Sequence, residues 1–118
     1  MTEMIHPLTQ IDIEILTKDH EILIFSNDFN LVYEHQVPCT GIALIEGVIE
    51  IFKDSKIIKS IDAPNLLGVQ QLLEGIPTKY GHRVKAKSKI ILLGKSDILQ
   101  LQNNKKMKHH PLYKIAKT

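Results

Sequence analysis

Apolar residues recur along this chain mostly at period two, in short runs separated by turn residues, a pattern that predicts strands rather than helices. From Ile11 the segment IDIEIL alternates apolar and acidic residues and predicts a strand with Ile11, Ile13 and Ile15 on one face. After a polar break over 17–20, EILIF (21–25) reads as a second strand, SNDFN as a turn cluster, and LVYEHQV as a third strand closed off by Pro38. IALIE and VIEIF follow, separated by Gly47, which fits a sharp bend or bulge. SKIIKSI continues beyond a polar turn at Asp54 and Ser55, and RVKAKSKIILLG closes the strand-rich series.

Three stretches depart from this pattern. Residues 1–10 contain Pro7, which argues against a helix, and read as a loosely docked arm. Residues 66–86, LLGVQQLLEGIPTKYGHRVKA, combine Gly68, Gly75 and Pro77 with a short amphipathic segment and read as a loop and a short helix interrupting a barrel. A glycine before a helix lets the backbone approach a ligand closely and leaves free N–H groups aimed outward, so the stretch is suggestive of an anion site. Residues 96–118 look helical, with Ser96 as the N-cap, a stop or kink at Asn103 and Asn104, and Pro111 ending or redirecting the helix. The expected architecture is a flexible arm over 1–10, a β-roll over 11–95 and a C-terminal helical segment over 96–118. That is a mainly β fold, a double-stranded β-helix or jelly-roll barrel carrying a short inserted helix and terminal helices. A small open α/β sheet fits less well, because too few helices alternate with the strands.

At 118 residues the chain makes one domain, and its longest apolar runs are too short to span a membrane. The N-terminus lacks the basic and long apolar regions of a signal peptide, and Cys39 is the single cysteine, so a reducing cytoplasm is the expected compartment. Net charge is only +2, but its distribution is uneven. Residues 1–74 carry four lysines against twelve acids, and residues 75–118 carry eleven cations against Asp97 alone. Such a split reflects either an anionic ligand meeting the basic half or complementarity between the two halves of the fold.

From about Ile13 to Leu101 the order of features resembles the cyclic-nucleotide-binding domain of catabolite activator proteins, protein-kinase-A regulatory subunits and nucleotide-gated channels. GIALIEGVIEIF is similar to that family's apolar strand, turn glycine and second apolar strand, with Gly47 at the turn. LLGVQQLLEGIPTKYGHRVKA is similar to its phosphate-binding cassette, in which a glycine opens a short helix, a Gly-x-Pro follows and an arginine precedes a strand. The resemblance implies that ribose and cyclic phosphate would be held through Gly68, Val69, Gln70 and Thr78. The family's ribose-binding glutamate is replaced by Val69 and its phosphate-binding arginine by Thr78, and the link to the RVKA strand is about two residues longer. Both primary polar contacts are thereby lost. A buried phosphate without a paired cation forfeits several kcal/mol, so no cofactor is expected, nor cAMP or cGMP binding in the usual manner. Lys79 and Arg83 are the cations left to an alternative reading, a sensor of a cyclic nucleotide or another anion through a rearranged cassette.

Other chemistries have less support. Six histidines invite a metal site, but no His-x-His occurs, His20, His35 and His82 are scattered, and adjacent His109 and His110 would point about 100° apart on a helix. Cys39, between Pro38 and an apolar strand, reads as a small buried filler without a base to activate it, and no enzyme is expected. Lys105, Lys106, Lys108, Lys114 and Lys117 read as a solvated face, and no helix-turn-helix follows, so sequence-specific DNA binding is not expected. Met107, Leu112, Tyr113 and Ile115 give the same tail an apolar side that would pack on the barrel, or meet a protein partner or a second copy. The expected function is a stand-alone regulatory or protein-interaction module.

Overall fold

The structure, a computed structural model, describes residues 5–103. Among the described residues, nine strands make two antiparallel sheets. The five-stranded sheet A has the order β1 (Ile5–Pro7), β7 (Asn65–Leu67), β4 (Gly41–Glu46), β9 (Lys89–Leu93), β2 (Leu23–Ile24). The four-stranded sheet B has the order β3 (Phe29–Val32), β8 (Gly81–Val84), β5 (Val48–Lys53), β6 (Lys56–Asp62). They face each other as a jelly-roll β-sandwich, the mainly β architecture that the strand pattern predicts.

The burial pattern of each strand explains its sequence. Between the sheets, Ile42, Leu44, Leu67 and Ile90 of sheet A meet Ile49, Ile51, Val84 and Val32 of sheet B. The alternate residues of sheet A, Ala43, Leu66, Ile91 and Leu93, point the other way. They form a second core with Leu16 of α1 (Gln10–Asp19), Val69 and Leu72 of α2 (Val69–Glu74) and Ile98 of α3 (Lys95–Asn103). Sheet A is therefore covered on both faces, and its strands read as unbroken apolar runs such as IALI and IILL. Among the described residues sheet B packs its core on one face, so Glu50 stands between the inward Ile49 and Ile51. Leu16 and Ile98 are fully buried, each contributing about 2 kcal/mol over an exposed position.

Two expectations near the N-terminus are corrected. Ile5–Pro7 is a strand, with Ile5 opposite Leu67 and Pro7 opposite Asn65, and Leu8 is buried, so this part of residues 1–10 is not a loose arm. The segment IDIEIL is helical despite its alternation. Thr9 Oγ1 accepts from Asp12 N–H at 3.1 Å and Asp12 Oδ2 from Thr9 N–H at 2.9 Å. This reciprocal cap satisfies two donors at the start of α1, and turning the segment into a helix leaves Ile11 exposed while Leu16 goes to the core.

Smaller differences follow the same logic. The second strand shrinks to Leu23–Ile24, and the third begins at Phe29 and stops at Val32, because the next residues turn: Gln36 N–H bonds Tyr33 C=O and His35 has φ 67°. Ile98 N–H donates to Gly94 C=O, so Gly94 stands at the cap of α3 and Ser96 lies inside the helix. Cys39 is exposed, not a buried filler; its neighbour Pro38 is the buried one. Among the described residues no helix is long and apolar enough to cross a membrane. The predicted basic tail, its apolar side, His109, His110, Asn104 and Pro111 lie outside the described residues.

Candidate functional site

The stretch that resembles a phosphate-binding cassette occupies the connection between the sheets, from β7 through α2 to β8. Gly68 sits in the left-handed conformation at φ 77°, and its carbonyl accepts the Leu72 N–H that starts α2. Gly75, also left-handed, ends the helix, where the Gly75 and Ile76 N–H groups both reach Gln71 C=O. The glycine-opened, glycine-closed short helix is thus present as the sequence predicts.

Side chains of this stretch go to different places. Val69 is fully buried in the core between sheet A and the helices, and Gln70 beside it is half-buried. Thr78 is buried at 2% exposure, and its hydroxyl donates to Tyr80 C=O at 3.0 Å and accepts from Tyr80 N–H at 3.3 Å. Its backbone is held as well: Thr78 N–H donates to Gln36 C=O, and Thr78 C=O accepts from His35 N–H. The segment from Ile76 to Tyr80 is therefore pinned against the 33–36 turn. Lys79 is exposed.

Arg83 lies on β8 between the inward-facing His82 and Val84, so its side chain stands on the outer face of sheet B. There Nε donates to Asn30 Oδ1 at 2.8 Å, and the guanidinium lies 5.1 Å from the centre of the Phe52 ring and 4.0 Å from Glu50. The Phe52 ring covers Gly81, leaving no room for a Cβ there. Lys85 continues the ladder, bonding Asp28 Oδ2 at 2.6 Å and standing 3.5 Å from Glu50. These bonds, with the Ala86 N–H, hold the Asp28 carboxyl below the usual carboxylate range.

Val69 and Arg83 thus sit on opposite outer layers of the sandwich and do not converge. Gly68, Val69 and Gln70 come together at the start of α2, and Thr78 with Lys79 lies in the link to β8. Tyr80 packs half-buried on the inter-sheet core, with Lys53 Nζ 5.8 Å above its ring. Two buried polar residues of this region carry no sequence signal: His82, which faces the sandwich interior, and Gln71, whose Oε1 accepts no hydrogen bond from the described residues. Among the described residues, no three His, Cys, Asp or Glu side chains gather where a metal would need them.

No sequence-family model matches the chain, and no curated protein matches it in sequence. Solved structures do match in three dimensions. A protein from a cyclic-GMP-dependent signalling pathway in bacterial phytopathogenesis is 15% identical at a TM-score of 0.71, with 86% of this chain covering 84% of that one. The catabolite activator protein of Thermus thermophilus is 14% identical at a TM-score of 0.67; 95% of this chain covers 52% of it, about half its length. A cyclic nucleotide-binding-like protein of Brucella abortus is 19% identical at a TM-score of 0.61, covering 81% of this chain and 86% of that one. With its two sheets, its glycine-bounded cassette helix and the helix after β9, this chain has the fold of the cyclic-nucleotide-binding domains.

Proposed function

We propose that the chain is a regulatory or protein-interaction module on the cyclic-nucleotide-binding fold, one that does not hold cAMP or cGMP in the family's manner. The observation that carries this reading is where the substituted cassette residues go: the Thr78 hydroxyl is bonded to the Tyr80 backbone, and Val69 fills the helix-side core. Arg83, the single arginine of the chain, is bonded to Asn30 on the outer face of sheet B. Among the described residues, Val69 and Thr78 offer a cyclic phosphate neither a cation nor a ribose-binding carboxylate. The module acts through its surface, with a protein partner or a second copy meeting the C-terminal segment over 96–118, in the cytoplasm.

The test is a thermal-shift series with cAMP, cGMP and cyclic dinucleotides up to millimolar concentration. A ligand at 100 times its Kd would stabilise the fold by about 2.7 kcal/mol, so even micromolar sites would register. No shift is expected. A shift of several degrees with any of them would overturn the reading and favour its alternative, an anion sensor with a rearranged cassette. The buried, unsatisfied Gln71 Oε1 is the observation on that side, since it could accept from a donor group of a ligand.

A further inference from the structure

His20 closes α1, the helix that precedes the sandwich, and α3 is the helix that leaves it after β9. The imidazole spans the gap between them. Nδ1 lies 2.9 Å from Leu16 C=O, one of the terminal carbonyls of α1, and Nε2 lies 3.2 Å from Asp97 Oδ1 in the first turn of α3. Both partners are acceptors. A backbone carbonyl has no proton to give, and the other oxygen of Asp97 accepts the Gly94 N–H at 2.8 Å, which helps keep that carboxyl ionised. A neutral imidazole can satisfy only one of the two, and its second nitrogen would turn a lone pair toward an oxygen. The imidazolium satisfies both.

We propose that His20 is a proton-dependent latch: protonated, it ties the last turn of α1 to the first turn of α3, and on losing its proton it lets the α3 start loosen from the sandwich. The charge also suits its place, since a cation at a helix C-terminus interacts favourably with the exposed carbonyls, as does the Asp97 anion with the first turn of α3. The ring and its partner are part-exposed, at 21% and 31%, so protons reach them from solvent without unfolding. Among the described residues, Asp97 is the charged group in contact with the ring. Lys18, Asp19 and Glu21, its neighbours along the chain, are exposed, as is Lys95 at the start of α3. The sign follows. Because only the imidazolium satisfies both acceptors, the latch is closed where the ring carries its second proton and opens as rising pH removes it.

Holding α3 matters because Ile98, the residue next to Asp97, is fully buried in the helix-side core. The inference is independent of whether any nucleotide binds. It is tested by native-state hydrogen exchange on the full chain at several pH values from 5.5 to 8.0, reading the Ile98 amide, which bonds Gly94 C=O, against sheet amides such as those of Leu44 and Ile91. After correction for the intrinsic pH dependence of exchange, Ile98 protection is expected to fall about two- to tenfold across the range relative to the sheet, the size of a part-exposed ion pair at a helix end. His20→Gln should remove this pH dependence, because glutamine does not titrate. Asp97→Asn, which still accepts from Gly94, should flatten it too. A pH-independent ratio in the wild type, or an unchanged slope in His20→Gln, would overturn the proposal. If His20→Gln fails to fold, the nitrogen shifts of the wild-type ring decide: a neutral His20 ring at pH 5.5 refutes the latch, and a doubly protonated one supports it.

Discussion

Gly47, between β4 and β5, offers the sharpest test of how the two sheets are joined. It has φ +97°, outside the range L side chains favour, and a Cβ there would overlap Ser88 Oγ and stand 2.7 Å from Ser88 Cα. Ser88 cannot easily withdraw. It is fully buried, its hydroxyl bonds both Val48 N–H at 3.1 Å and Val48 C=O at 3.2 Å, and its own carbonyl accepts from Phe25 N–H. Gly47→Ala therefore incurs a backbone cost of about 1–2 kcal/mol for the positive φ. It adds about 1–3 kcal/mol for forcing the strand corner away from the 85–88 turn. The expected loss is about 2–5 kcal/mol, a large part of a small domain's stability. Gly75→Ala is the control: its φ is similarly positive at +66°, but no atom lies within 4 Å of the added Cβ, so only about 1 kcal/mol should be lost. Urea unfolding followed by far-UV circular dichroism measures both. Equal losses in the two variants would refute the claim that Ser88 occupies the space beside Gly47.

Other predictions concern single contacts. Thr9→Ala removes the reciprocal cap of α1 and should cost about 1 kcal/mol, seen as a lower urea midpoint with unchanged slope. Arg83→Ala should cost about 0.5–1.5 kcal/mol through the lost Asn30 bond and Phe52 stacking, and should leave the response to any anionic ligand unchanged; a ligand-induced shift that disappears in this variant would place Arg83 in a binding site after all. The Asp97 carboxyl is held below its ordinary range, chiefly by the Gly94 N–H with His20 adding to it. Its contribution to stability is thus present above the unfolded-state value and lost as pH falls through the folded one. Asp97→Asn should accordingly unfold less steeply with acid than the wild type does, and identical acid profiles would count against that bond.

How much of this was legible depended on whether a residue's role is set by its neighbours in sequence. The corner at Gly47, the turn at Asp54 and Ser55, and the glycines bounding α2 were all readable, because turn chemistry resides in the turn residues themselves. Asp54 and Ser55 indeed take positive φ, at 53° and 65°. The α1 helix was misread although its signal was present: the Thr9-x-x-Asp12 cap is as local as the alternation of Ile11, Ile13 and Ile15, and it prevails because Leu16 then reaches the core. For the cassette, the absence of the expected glutamate and arginine was plain from Val69 and Thr78. That Thr78 would spend its hydroxyl on Tyr80, that Cys39 would be exposed, and that Arg83 would stand on the outer face were not.

The amino-acid sequence by itself determined the strands β4, β5 and β6 with their turns, the glycine-bounded stretch after β7 with Val69 and Thr78 in it, and through these the jelly-roll class, because period-two burial and turn propensity act over a few residues. The tertiary structure alone decided which side of the sandwich each polar group faces and which distant groups meet. His20 and Asp97 lie 77 positions apart, Arg83 and Asn30 53 positions apart, and only the folding of sheets and helices onto two shared cores brings them within hydrogen-bond reach. Such pairings are set by packing geometry, which no short stretch of sequence encodes.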